Sequence, residues 1–317
     1  MGQLVSFSKF IAGRLDGKIQ KISVNAGHNC PNRDGTLSRG GCIYCSNQSF
    51  SPGYTTANPD IEAQIEAGRK FFGRKYPEMR YLVYFQSYTS TNASLEEVKS
   101  QVNRALAYSD VAGCVIGTRP DAVSEELLQW FASLMPDKFM MVEFGAETAS
   151  DETLRLINRH HTWAQTVEAV EMAHRCGLPV GLHLIFGLPG EHRDEILSTI
   201  DAVNALPVDL LKCHHLQVIR NTPLHRMIEA GEIEVERWTP DDYAALCREV
   251  LGRLRPDIMV ERLLSQAPPS MVVSPKWGLK NYQFINRYFP DATGPSACAD
   301  AGTGGHDRGH RLHAQTK

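Results

Sequence analysis

Three cysteines close to the start of the chain, Cys30, Cys42 and Cys45, are separated by eleven and then two residues. A thiolate is a soft ligand for iron or zinc, and two cysteines two residues apart can reach one centre from a single turn. A fully ligated [4Fe–4S] cluster takes four cysteines, so three thiolates would leave one iron open to another ligand. Gly35, Gly40 and Gly41 lie between the first two cysteines. Glycine enters backbone regions closed to other residues, so such a loop can curl around a bulky group. His28, Cys30, Cys42 and Cys45 would equally complete a tetrahedral set for a structural zinc. Both readings bind metal, and the cysteines alone leave both open.

A metal loop needs a frame. From about residue 19 to 219 short apolar or β-branched runs alternate with helical patterns, which is the signature of βα units around a parallel sheet. Six strands are expected, at 19–25, 81–87, 113–117, 140–147, 180–187 and 210–218, with helices begun by Ser94, Ser124 and Asp151 ahead of acidic first turns. Six such units make an α/β fold, a partial (β/α)6 barrel, whose site gathers at the C-terminal ends of the strands. Side chains alternate along a strand, and the apolar ones must meet the helices. That parity turns Glu143, Gly145 and Glu147 into the lumen from one strand, Gly181, His183, Ile185 and Gly187 from the next, Lys212 and His214 from the last, and Gln86 from the second.

The rest of the composition bounds the answer. A chain of 317 residues suits one barrel with an appendage. A core at 1–222, an α-rich extension at 223–290 with helices near 223–229, 241–254 and 276–288 and an extended run at 258–264, and a disordered Gly- and His-containing tail at 291–317 are expected. No secretory leader is evident, so the thiols are expected free or metal-bound in the cytoplasm. No run of 18 apolar residues suggests a membrane helix. Cys114, Cys176, Cys213 and Cys247 read as buried structural thiols. His306, His310 and His313 with Cys298 read as adventitious at most, and the run from Gly187 to Glu191 is no phosphate loop because no Gly-Lys-Ser/Thr follows. The net charge of −3 argues against a general nucleic-acid coat, although Arg248 to Arg287 holds seven Lys or Arg against three acids, a local excess of +4.

Several runs, taken in order, carry a family resemblance. They are Cys30-Pro-Asn-Arg-Asp-Gly, Tyr84-Phe-Gln-Ser-Tyr-Thr, Ile116-Gly-Thr-Arg-Pro-Asp, Glu143-Phe-Gly-Ala-Glu-Thr, Asn158-Arg-His-His-Thr, His183-Leu-Ile-Phe-Gly-Leu-Pro-Gly-Glu and Lys212-Cys-His-His-Leu. Together they resemble radical S-adenosylmethionine enzymes of the YhcC/YtqA group, related to the Elp3 and oxygen-independent coproporphyrinogen oxidase branches, over roughly residues 5 to 285. The widened first cysteine gap is similar to that of this subgroup.

The resemblance implies a [4Fe–4S] cluster on Cys30, Cys42 and Cys45. Its free iron would chelate S-adenosylmethionine, and one-electron cleavage would give a 5′-deoxyadenosyl radical that abstracts a substrate hydrogen. It implies cofactor contacts from Tyr44, Gln86, Ser87, Glu147, Arg159, His183 and Gly187, and a reductant partner such as a flavodoxin or ferredoxin. The same residues also read as loop packing for Tyr44, helix capping for Gln86 and Ser87, and a structural ion pair for Glu147 with Arg159. Arg119, Asp121, Lys212 and His214 are the substrate-side candidates. Kinship to the Elp3 branch points to tRNA wobble-uridine modification. A small metabolite or protein residue as substrate, or a zinc-stabilised barrel without redox chemistry, are the alternatives.

Overall fold

The computed structural model describes residues 3, 4, 7–58, 60–73 and 78–292. The tail expected at 291–317, with His306, His310, His313 and Cys298, lies outside the described residues from 293 onward. Ten strands are described: β1 (Gln3–Leu4), β2 (Ile19–Val24), β3 (Arg80–Phe85), β4 (Val111–Thr118), β5 (Phe139–Glu147), β6 (Val180–Phe186), β7 (Leu210–His215), β8 (Val218–Ile219), β9 (Met259–Arg262) and β10 (Val272–Ser274). Eight of them form one parallel sheet in the order β1-β9-β7-β6-β5-β4-β3-β2. The expected six units are thus present in sequential order as a partial barrel.

Two expectations need correcting. The run at 258–264 is β9, and it pairs with β7 in the main sheet rather than standing apart. The last core strand stops at His215, because the His215 carbonyl accepts from the Ser265 hydroxyl, and Val218–Ile219 pairs antiparallel with β10 instead.

Helices α1 (Phe7–Ala12), α2 (Pro31–Asp34), α3 (Gly53–Ala57), α4 (Ile61–Gly73), α5 (Leu95–Leu106), α6 (Glu125–Ser133), α7 (Asp151–Leu156), α8 (Trp163–Arg175), α9 (Arg193–Asn204), α10 (Pro223–Glu229), α11 (Pro240–Arg253) and α12 (Asn281–Tyr288) complete the chain. Their starts follow local chemistry. Ser94 and Glu97 form a capping box on α5, and Ser124 caps α6. On α7 the cap is Ser150, not Asp151, whose carboxylate instead accepts from the Trp163 amide that opens α8. α12 starts at 281 rather than 276, since Pro275 and the left-handed Gly278 occupy the preceding segment. Among the described residues no helix is long and apolar enough to cross a membrane.

Parity divides the sheet as the sequence requires. Val142, Phe144, Ala146, Leu182, Leu184, Phe186, Leu211 and Cys213 face the helix layer and are sealed in the main core. Emptying one of its large positions, such as Phe131→Ala, costs about 3–5 kcal/mol. The other face lines the lumen. Its N-terminal end is plugged by Phe10 and Ile11 of α1 against Leu82, Tyr84, Val115, Phe139, Met141 and Leu210. An apolar plug below leaves the C-terminal rim as the open end, and the cysteine loop sits there. Cys114, Cys213 and Cys247 are buried as expected, whereas Cys176 at the end of α8 is only half-buried.

Candidate metal and cofactor site

The cysteine loop is held by backbone hydrogen bonds. The Cys30 carbonyl accepts from the Arg33 and Asp34 amides as the short α2 begins. Cys45 N donates to the Cys42 carbonyl at 3.0 Å, a tight turn that sets these two residues side by side. Ile43 N donates to the Ile157 carbonyl, and Leu224 N to the Ile43 carbonyl, so the 42–45 turn is strapped to the loop after α7 and to α10. Asn32, fully buried, donates from Nδ2 to the Asn158 carbonyl at 2.6 Å and lies 3.5 Å from Cys42 Sγ. Asn158 returns the contact from its own Nδ2 to the Gly41 carbonyl.

The thiols feel one another. Burial and the neighbouring Cys42 push Cys45 up to about 11, with Cys30 adding in the same direction and Arg33 opposing. Arg33 also donates to the Cys45 carbonyl at 3.1 Å. Among the described residues no three His, Cys, Asp or Glu side chains gather tightly enough to hold a single metal ion. A tetrahedral zinc with Zn–S of about 2.3 Å would need sulfurs roughly 3.8 Å apart. A cuboidal cluster spaces its thiolates more widely. His28, the fourth candidate zinc ligand, has Nδ1 2.6 Å from the Ser90 carbonyl.

Arg159 stands next to the cysteines. Its Nη1 is 3.7 Å from Cys42 Sγ, its Nη2 donates to the Gly145 carbonyl at 2.6 Å, and the same nitrogen pairs with Glu147 Oε1 at 3.2 Å. A side chain at position 145 would intrude on both partners, for its Cβ would lie 2.7 Å from Arg159 Nη2 and 2.9 Å from Glu147 Oε1. Tyr44 is half-buried nearby, and burial with the Glu147 charge holds its phenol well above its ordinary value. Glu147, Asn158 and His160 all adopt left-handed backbone at φ of 67°, 58° and 60°. Non-glycine residues there cost about 1–3 kcal/mol each and cluster where function over-determines the geometry.

The remaining candidates divide into two groups. Gln86 accepts from the Ser23 hydroxyl, and the buried Ser87 hydroxyl lies 3.2 Å from that of Ser51. Neither caps a helix, since α5 is capped by Ser94. Arg119 and Asp121 form a buried bidentate pair at 2.8 and 2.7 Å, and Arg119 also donates to the Arg159 carbonyl at 2.9 Å. They lie just past the C-terminal end of β4, and Arg119 supports the Arg159 backbone from behind. His161 is buried between these guanidinium groups with both ring nitrogens unpartnered, and burial, with Arg159 and Arg119, pushes it down to about 2. Gly187 has φ of 82°, and a Cβ there would meet the Trp238 ring at 2.9 Å, so the indole of the C-terminal extension takes the space that a side chain would need.

Below the rim lies a layer of charge. Lys212 pairs with Glu143 Oε2, lies 3.6 Å from Glu261 and donates to the Tyr84 hydroxyl at 3.3 Å. Lys21 pairs with Glu261 at 2.9 Å and lies 3.9 Å from Glu143. His183 donates from Nε2 to Glu143 Oε2 at 2.9 Å. Burial works against the Glu143 carboxylate, yet Lys212, Lys21 and His183 hold it well below the usual range. Lys21 bears the cost of two crowded ammonium groups: burial, with Lys212 beside it, lowers it to about 8 against the pull of Glu261 and Glu143. His214 has Nδ1 3.1 Å from the Ser265 hydroxyl, and its ring lies 5.8 Å from that of His183. Strand parity identified Glu143, Lys212, His183 and His214. It missed Lys21 and Glu261, whose signal was an inward lysine on the first strand and an acid in the extension's extended run.

Comparison with known proteins gives a consistent neighbourhood. A model of the Radical SAM superfamily matches residues 24–203, and one of the Radical_SAM C-terminal domain matches 208–289. YtqA of Bacillus subtilis is 32% identical over 268 residues, 84% of this chain and 83% of that protein. YhcC of Escherichia coli is 33% identical over 275 residues, 86% of each. The tRNA uridine(34) acetyltransferase of Methanocaldococcus infernus is 31% identical over 147 residues, 45% of this chain and 27% of that enzyme. The solved structure of Methanocaldococcus infernus Elp3 superposes with a TM-score of 0.61 at 17% identity, over 86% of this chain and 64% of that one, a likeness of fold.

Proposed function

The chain belongs to the radical SAM superfamily, in the group of YtqA and YhcC, and from that membership we propose that it binds a [4Fe–4S] cluster and S-adenosylmethionine and abstracts hydrogen from a tRNA nucleoside. Cys30, Cys42 and Cys45 would hold the cluster. The observation that carries this reading is a three-thiol loop strapped over the open end of a plugged barrel, with a buried Arg159–Glu147 pair reaching Cys42. When bound, the cluster and S-adenosylmethionine supply one-electron cleavage of the sulfonium carbon–sulfur bond and so a hydrogen-abstracting carbon radical.

The chain's own residues position and enclose. Arg159, fixed by the Gly145 carbonyl and Glu147, presents a guanidinium to a carboxylate such as that of the methionine moiety, in the planar geometry that suits a bidentate pair. Tyr44 screens the 42–45 turn from solvent. Gln86, Ser87 and His183 line the wall where the amino and ribose groups would lie, and Gly187 with Trp238 closes the side next to the extension. The division into a core to residue 222 and an extension at 223–290 is part of the proposal, with β9 of the extension built into the core's sheet. A flavodoxin or ferredoxin in the cytoplasm would supply the electron.

The tRNA assignment rests on the named activity of the Methanocaldococcus acetyltransferase and not on the basic stretch. Arg253 pairs with Asp201 and Arg255 with Asp257, so the excess charge of that stretch is divided over several faces. Anaerobic purification tests the reading. A brown protein with about four iron and four sulfide per chain, whose release of 5′-deoxyadenosine under dithionite is accelerated by total tRNA and not by free nucleotides, is the expected result. A colourless protein holding one zinc overturns it.

A further inference from the structure

Three consecutive residues after α7 contact three consecutive residues of the cysteine loop. The Ile157 carbonyl accepts from Ile43 N, Asn158 Nδ2 donates to the Gly41 carbonyl at 2.7 Å, and Arg159 Nη1 lies 3.7 Å from Cys42 Sγ. Asn32 closes a ring with Gly41 and Asn158. Its own carbonyl accepts from Gly41 N at 2.7 Å, the Gly41 carbonyl accepts from Asn158 Nδ2, and the Asn158 carbonyl accepts from Asn32 Nδ2 at 2.6 Å. Asn158 takes its place in that ring with left-handed backbone at φ of 58°.

The Asn32 amide reaches further than that ring. A carbonyl can only accept, so the atom 2.6 Å from the Asn158 carbonyl must be the nitrogen, which fixes the orientation of the carboxamide. One amide proton is engaged there, and the same nitrogen donates its other proton to Cys42 Sγ at 3.5 Å. Asn32 is fully buried and Cys42 is buried, whereas Cys30 and Cys45 are each half-buried. Cys42 is thus the most enclosed of the three sulfurs, and it takes N–H groups from both Asn32 and Arg159. Arg159 is committed elsewhere as well, to the Gly145 carbonyl and to Glu147. The Asn32 side chain serves only the Asn158 carbonyl and the sulfur, for its Oδ1 makes no hydrogen bond.

We propose that Asn32 is a positioning residue for the cluster: its amide holds the Asn158 loop against the cysteine loop, donates to the Cys42 sulfur, and so raises the reduction potential of a cluster bound there. A hydrogen bond to a thiolate sulfur draws off electron density and favours the state with one more electron. In a buried, low-dielectric setting that effect is at its strongest. The electron itself comes from the external reductant. The inference deepens the radical SAM reading and rests on it.

A potentiometric titration of the reconstituted full chain, read by electron paramagnetic resonance without added S-adenosylmethionine, tests it. Asn32→Leu keeps the branched shape and removes the donor. At a fixed potential its reduced-to-oxidised ratio should fall about tenfold, the scale on which changes beside a metal's ligands commonly act, equal to about 59 mV for a one-electron couple. Asn158→Gly suits the left-handed backbone and keeps the carbonyl while deleting the tie to Gly41, so it should lower Tm and leave the ratio unchanged. Pulsed resonance on wild-type protein carrying 15N in its asparagine side chains does not depend on the Asn32 variant folding. A 15N coupling to the reduced cluster is expected in wild type and in Asn158→Gly. A wild-type ratio in cluster-bearing Asn32→Leu, an equal shift in Asn158→Gly, or a wild-type protein without the coupling overturns the proposal. Iron and sulfide content of the same samples separates two failures: no cluster in wild type sinks the radical SAM reading and this role together, whereas a full cluster with neither coupling nor shift sinks the role alone.

Discussion

The rim of the barrel and the charge layer below it are both buried and ionic, yet they are built on opposite terms. In the layer, two lysines face two glutamates with a tyrosine and a histidine, and among its fully buried side-chain atoms only Glu143 Oε1 lacks a hydrogen bond. At the rim, Asn32 Oδ1, Arg119 Nη1, Arg159 Nε and both nitrogens of His161 are left unfilled, and Glu147, Asn158 and His160 hold left-handed backbone. Unfilled buried polar atoms and backbone strain both cost stability, and they persist where a site is organised around something else. The layer is closed and ties β2 to β9 across the lumen through Lys21 and Glu261. On the proposed reading, the difference teaches that charge in the lumen divides by depth, a satisfied layer below and groups left for a ligand above.

Substitutions can break this division, and the largest effect belongs to the rim. Cys42→Ala should abolish iron uptake and S-adenosylmethionine cleavage while the metal-free protein melts within a few degrees of wild type; a large fall in its Tm would place the cysteine loop among the structural elements. Next comes the layer. Glu143→Ala strands Lys212 without its nearest carboxylate and should cost about 3–5 kcal/mol in denaturant unfolding. Glu143→Leu combined with Lys212→Met should recover much of that loss, because a hydrophobic pair replaces an ion pair at little net cost. If the double variant is no better than the single one, the layer does more than seal.

Smaller effects sharpen the contrast. Gly145→Ala should weaken S-adenosylmethionine binding by roughly tenfold or more, as second-sphere changes commonly do, with Tm nearly unchanged, because its Cβ displaces Arg159 and Glu147. Unaltered affinity in isothermal titration would remove that pair from the cofactor site. Glu191 is buried in the turn after β6, and burial raises it to about 7 despite the Thr148 hydroxyl. Between its ordinary 4.5 and this value the folded state binds more protons than the unfolded one. Stability should therefore fall as pH rises across that window, by an amount on the order of 2–3 kcal/mol, and level off above it. Glu191→Gln should flatten the slope in pH-dependent unfolding.

Much of this was legible from residue order. Alternation along the strands at 140–147, 180–187 and 210–218 separated helix-facing from lumen-facing residues, because a parallel sheet covered on one face leaves the period-two pattern intact on the other. The cysteine spacing marked the rim. What could not be read were partners distant in sequence: Glu261 meets Lys21 only because β9 joins the sheet, and no periodicity announces the register shift that sets Lys212 opposite Arg262. Ser150 rather than Asp151 caps α7 because Asp151 is drawn off to the Trp163 amide, a competition that requires the tertiary fold. Arg119 and Asp121, just past the end of β4, were candidates for substrate contacts, and their mutual pairing, with Arg119 donating to the Arg159 carbonyl, appears only when the loop at 158–161 is folded back over them.

The most direct measurement is the electron paramagnetic resonance spectrum of the reconstituted, dithionite-reduced protein before and after S-adenosylmethionine is added. A cubane held by Cys30, Cys42 and Cys45 with one iron free should give a reduced-cluster signal whose g values move when the sulfonium compound binds, and Cys42→Ala should give none. A signal that S-adenosylmethionine leaves unmoved, or no iron signal alongside one equivalent of zinc, would contradict the account.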